Sequence, residues 1–103
     1  MTVGVLGQAD LAATTNTLVY TAATQSAIHI NILNRNASAT TVRVAIGTIS
    51  GSTPTNSNYI EYDASIPGNA VLERSGIVLN AGQKVVVYAG ATGITASVYG
   101  IET

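Results

Sequence analysis

Ile28-His29-Ile30-Asn31-Ile32-Leu33-Asn34 alternates aliphatic and polar side chains almost residue by residue. A period of two puts Ile28, Ile30 and Ile32 on one face of an extended chain, with His29 and Asn31 on the other. The next run, Thr41-Val42-Arg43-Val44-Ala45-Ile46, repeats the pattern with Val42, Val44 and Ile46 inward and Arg43 outward. Arg35-Asn36-Ala37-Ser38-Ala39 between them has the length of a hairpin loop, so the two runs are expected to pair directly.

Outward from this pair, strands are expected at Val3 to Leu6, Leu18 to Thr21, Tyr59 to Tyr62, Val71 to Arg74 followed by Ile77 to Leu79, Lys84 to Ala89, and Ile94 to Tyr99. Pro67-Gly68 suits a type II turn, Pro second and Gly third at positive φ. Asn80-Ala81-Gly82 reverses the chain before Lys84, and Gly90 to Gly93 separates the last two strands. Ala9 to Thr15 holds helix formers without a 3.6-residue stripe and reads as loop. About seven or eight short strands with regular turn signals indicate an all-β chain, an antiparallel β-sandwich of jelly-roll or Ig-like type. It forms a single domain, 1–103, with an N-terminal arm of about residues 1–15.

Two segments bear on partners. Gly47 to Asn58 is irregular for about 12 residues, a length that implies either mobility or a hold from outside. Val85-Val86-Val87-Tyr88-Ala89 is apolar on both faces. Such a run is either a central strand covered twice or, as expected here, a strand whose outer face meets a neighbouring subunit.

Composition narrows the function classes. Only 9% of the 103 residues are charged and 47% are apolar, with one His and no Cys, Trp or Phe. The net charge is −1, and Arg35, Arg43, Arg74 and Lys84 are scattered, which argues against nucleic acid. Without cysteine there is no disulfide scaffold and no thiolate metal site. Met1 to Gln8 lacks the basic and apolar regions of a signal peptide, and no window approaches the ~20 apolar residues of a membrane helix. A soluble protein with no membrane partner is expected. A surface this poor in charge tends to associate, so partners are expected to cover much of it.

Few residues can carry chemistry. Glu61 and Asp63 are expected to share a face of the Tyr59–Asp63 strand, about 6.5–7 Å apart, which raises glycosidase or hard-cation chemistry. Glycosidases draw such carboxylates from different elements flanking a cleft, so a polar strand face paired with Arg35 or Arg43 is the better expectation. His29 has no second His or Cys to complete a metal site. No serine lies in a nucleophile-elbow context, and Gly90-Ala91-Thr92-Gly93 lacks the Lys and helix of a phosphate loop. No enzyme activity and no cofactor are expected. The five tyrosines are the only aromatics; Tyr20 and Tyr62 are assigned to the core, and Tyr59 and Tyr99 to contacts, where Tyr offers stiff area with a polar tip.

Gly7-Gln8, Leu18-Val19-Tyr20, Asn34-Arg35-Asn36-Ala37, Thr41 to Ala45, Tyr59-Ile60-Glu61-Tyr62-Asp63 and Gly76 to Val85 with Val87-Tyr88-Ala89 form a familiar succession. It resembles a group of small all-β virion proteins of tailed bacteriophages, cyanophages among them, over Gly7 to Ile101. These are stand-alone capsid decoration (cement) proteins, or β-sandwich modules of tail fibres and baseplates. The group's Pro-Ala-Gly before the hairpin is Thr21-Ala22-Ala23-Thr24 here, so that turn is expected to be built differently. The resemblance implies a virion structural protein, assembled in the host cytoplasm, whose partner is the major capsid protein. A homotrimer stabilising the capsid surface is the expected form, and a chain starting at Met1 with no stalk favours it over a fibre. The alternative is a tail-fibre or baseplate module recognising host glycan. Expected interface residues are Gln8, Arg35, Arg43, Pro54, Asn56, Tyr59, Tyr88 and Tyr99, with Gly47–Asn58 and the arm carrying contacts.

Overall fold

The alternating stretch Ile28 to Asn34 lies in one of eight strands of a computed structural model that describes residues 1–103. They are β1 (Thr2–Leu11), β2 (Asn16–Thr21), β3 (Ser26–Asn34), β4 (Thr40–Gly47), β5 (Tyr59–Ile66), β6 (Val71–Leu79), β7 (Lys84–Ala89) and β8 (Ile94–Glu102). One 3-10 turn, Asn56–Asn58, precedes β5. Sheet I has the order β1-β8-β3-β6 and sheet II the order β2-β7-β4-β5, every pair antiparallel. Every connection except β4 to β5 crosses from one sheet to the other, which makes the sandwich a jelly roll.

Inward residues of the two sheets form one core. Ile28, Ile30 and Ile32 from β3 and Ile94, Ala96 and Val98 from β8 meet Val42 and Val44 from β4 and Val85 and Val87 from β7. All are essentially removed from water, and each large aliphatic among them contributes roughly 1.5–3 kcal/mol of transfer free energy.

The expected hairpin between Ile28–Asn34 and Thr41–Ile46 does not form. β3 lies in sheet I between β8 and β6, while β4 lies in sheet II between β7 and β5. The reason is local. Asn34 is fully buried, and its Nδ2 donates to the carbonyls of Ser38 (2.9 Å), Ile66 (3.0 Å) and Pro67 (3.3 Å). Its Oδ1 accepts from the Asn36 amide at 2.9 Å. This carboxamide bends residues 35–39 across the end of the sandwich and ties that crossing to the β5–β6 crossing.

The Pro67-Gly68 turn is displaced by one residue. Ala70 donates its amide to the Pro67 carbonyl (3.2 Å), and Asn69, at φ 59°, takes the positive-φ position expected of Gly68. Gly68 is needed for another reason, since a Cβ there would lie 2.1 Å from the Ala37 carbonyl oxygen. The two short runs expected at Val71–Arg74 and Ile77–Leu79 are one strand, β6, whose register with β3 shifts between Ile28 and Ile30. Gly76, at φ 72°, lies in that irregularity.

The stretch expected as an arm is β1, paired with β8 from Thr2↔Glu102 to Leu11↔Ile94. At Val86 the outer side of β7 is covered by the chain itself, where the expectation was a neighbouring subunit: Val86 packs with Ala45, Ile49 and Tyr59. Ile49 belongs to the long Gly47–Asn58 segment, which folds back over sheet II. Asn58 fastens it, with Nδ2 donating to the carbonyls of Ile46 (3.1 Å) and Thr48 (3.4 Å) and Oδ1 accepting from the Thr55 amide (2.8 Å).

At the opposite end, Glu102 organises the β2–β3 turn. Its carboxylate accepts from the amides of Ala23 (2.6 Å) and Thr24 (3.4 Å). The Ala23 amide, with the Thr24 amide acting the same way, holds the Glu102 carboxyl below the usual carboxylate range. Burial pushes the Tyr20 hydroxyl above its ordinary value, and the Glu102 carboxylate adds to this. Tyr20 Oη and Ser26 Oγ lie buried beside it without closing a hydrogen bond.

Asn34→Ala strips several buried backbone groups of their partner and is expected to lower unfolding stability by about 2–4 kcal/mol in urea titration; a loss under about 1 kcal/mol contradicts its role as the tie. Glu102 contributes stability that is complete above the unfolded glutamate pKa and is lost as pH falls through the lower folded value. The stability difference between wild type and Glu102→Gln is therefore expected to be constant above about pH 5 and to shrink steadily on acidification below about pH 4. A difference that grows as the pH falls contradicts the assignment.

Candidate functional site

An outward-facing polar residue on β4 collects the aromatics of sheet II. Arg43 stands opposite Tyr88 of β7 in the register, and its guanidinium lies 4.7 Å from the Tyr88 ring centroid. It lies 4.2 Å from the Tyr62 ring centroid on the other side, and Tyr62 meets Tyr59 edge-on at 5.0 Å. Arg43 Nε donates to Asp63 Oδ1 at 2.7 Å. The Asp63 carboxylate holds the guanidinium above its already high ordinary value. Each exposed cation–π contact is worth about 0.5–1 kcal/mol, and the ion pair about 0–1 kcal/mol. Together they fix the rings at the surface without burying them.

Tyr62, expected to fill a core that has no Phe or Trp, is instead 58% exposed. The β4–β5 register slips twice, between Val42 and Val44 and between Val44 and Ala45. Asp63 sits at φ 52°, a left-handed conformation that Asp tolerates better than most residues. In a regular strand Tyr59 and Tyr62 face opposite ways; these slips bring both rings to the outer face. They also part Glu61 from Asp63. Glu61 reaches Arg74 of sheet I in an ion pair, while Asp63 holds Arg43.

Of the expected interface residues, Arg43, Tyr59 and Tyr88 therefore share one face. Pro54 and Asn56 lie on the segment folded over the same sheet, which Lys84 Nζ also ties down through the Gly51 carbonyl at 3.1 Å. Gln8 and Tyr99 are elsewhere, on the outer face of sheet I. Gln8 Nε2 donates to Ser97 Oγ (3.3 Å), and Tyr99 stacks on His29 with centroids 5.2 Å apart. Arg35 lies at the end of the sandwich and pairs with Asp10 at 2.5 Å.

The Tyr–Arg face is flat, and the surface as a whole carries no pocket. No three of the His, Asp and Glu side chains converge. What the face offers is aromatic area, hydroxyl tips and a pre-placed guanidinium, the residue types that dominate protein-contact energetics. No protein-family model, curated protein or solved structure matches the chain.

Asp63→Ala removes the ion pair and places a Cβ-bearing residue without a local polar side chain at positive φ. Asp63→Gly removes the pair but relieves the backbone. Urea unfolding is expected to rank Gly above Ala by about 1 kcal/mol; equal stabilities contradict a strained bulge at this position.

Proposed function

We propose that the protein is a non-catalytic structural component that works by contact, a capsid decoration protein of a tailed phage bound to the outer surface of an assembled major-capsid-protein lattice. The observation that carries this is the Tyr59, Tyr62, Tyr88 and Arg43 cluster, standing outward on a rigid sheet. Stacking holds Arg43 in place, so its ordering on contact costs less than that of a free side chain. The jelly roll, a fold used in viral capsids and lectins, supports the reading, as does the resemblance over Gly7 to Ile101. Binding acts by mass action: copies that bind the expanded lattice and not its separated subunits stabilise the shell. A copy bridging two capsomers makes its second contact at high effective concentration.

A second reading draws on Tyr62. Its half-exposed ring beside the Asp63 carboxylate offers a stacking surface and an acceptor to a sugar, as in a glycan-recognising fibre or baseplate module.

Heads lacking the protein are expected to lose heat resistance while host adsorption is unchanged. Tyr62→Ala and Arg43→Ala are each expected to weaken head binding by about 30-fold or more, the range of an interface hot spot. The free variant's melting temperature should move by only a few degrees. Stable heads with lost adsorption favour glycan recognition, and full head occupancy by both variants overturns the assigned face.

A further inference from the structure

The outer face of sheet I carries a different surface. The register sets Val3 of β1, Ile101 of β8, Ala27 of β3 and Val78 of β6 side by side in a row across all four strands. The next outward row is Val5, Tyr99 and His29, ending at the β6 irregularity around Gly76. Val3 and Val78 are each 67% exposed, Val5 62% and Ile101 43%. Neither row contains a charged residue, and no other part of the chain lies over them. A third row, Gln8, Ser97, Asn31 and Glu73, is polar.

We propose that two copies of the chain meet here, sheet I on sheet I, about a two-fold axis parallel to the strands and passing between β8 and β3. A two-fold contact requires a surface that complements itself, and this order of residues does. Reversed, the first row sets Val3 of one copy against Val78 of the other, and Ile101 against Ala27. Ile101 thus faces a small residue, as in a packed core, and the two valines at the ends of the row face residues of their own size. The second row sets Tyr99 of one copy against His29 of the other, adding intermolecular ring contacts to the stack already present in each. The third row sets Ser97 against Asn31, and Glu73 against Gln8. Glu73 is the one charge on this face without an ion pair, since Asp10 is held by Arg35. The axis passes through neither Glu73 nor Asp10, so it sets neither carboxylate against its own copy.

The area fits a weak, specific dimer. Four strands about 4.8 Å apart and about nine residues long give a face of roughly 19 by 30 Å. Two copies then bury on the order of 1,100 Å², the lower end for specific association. This two-fold self-contact, in place of the three-fold one that the resemblance implies, uses the opposite side of the sandwich from the Tyr–Arg cluster and is independent of the target which that cluster meets.

Sedimentation equilibrium of the full chain from about 1 to 500 µM tests it. The wild type is expected to pass from monomer to dimer with a Kd of about 1–100 µM. Val78→Lys and, separately, Val3→Lys are expected to raise that Kd at least tenfold while dilute thermal unfolding shows both folded. Arg43→Ala should dimerise as wild type does, which separates failure of this face from failure of the lattice-binding face. A wild type that stays monomeric, a trimer, or a dimer untouched by both lysine variants overturns the proposal.

Discussion

The carboxamide of Asn34 is the interaction on which this arrangement most depends. In a jelly roll, strands adjacent in sequence lie in opposite sheets, so the ladder must be broken at every crossing and the freed backbone groups need other partners. Asn34 serves three carbonyls and one amide from a single buried side chain, and it does so where two crossings meet. A hydrophobic residue of similar size would fill the space and leave those groups unpaired. The far end uses a charged group for the same task, with Glu102 receiving two amides of the β2–β3 turn.

Once the crossings are fixed, the outer faces are left flat and open to contact. Sheet II is partly closed by the Gly47–Asn58 segment, whose Ile49 shields Val86. Beside that cover, Arg43 gathers the tyrosines. Sheet I has no cover, and its aliphatic and aromatic rows stand in water. A chain this poor in charge thus has one face suited to polar, aromatic contact and another suited to its own likeness. The proposed lattice attachment and the two-fold self-contact use opposite sides of one rigid body.

Fold class was legible because the inward residues of β3 and β4 keep period two: Ile28, Ile30 and Ile32 point inward as their spacing dictates, as do Val42 and Val44. Pairing was not legible. A five-residue loop between two alternating runs fits a hairpin by length; period two places Asn34 on the inward face, but nothing local reveals that it binds carbonyls from Ile66 and Pro67. The candidate site was half legible. Arg43 and Tyr88 follow from alternation, whereas Tyr62 reaches the surface only through two register slips and the left-handed Asp63. The single available sign was an acidic residue tolerant of positive φ directly after Tyr62. Cover over Val86 came from a segment whose Ile49 is its one large aliphatic, too faint a signal to distinguish self-burial from a neighbour.

The measurement that most directly tests the central claim is a cryo-electron microscopy map of the phage head. The account predicts the jelly roll in regular copies on the outer shell, with Arg43, Tyr59, Tyr62 and Tyr88 against the capsid protein. Heads without the chain, or with that cluster turned to solvent while another surface makes the contact, would contradict it.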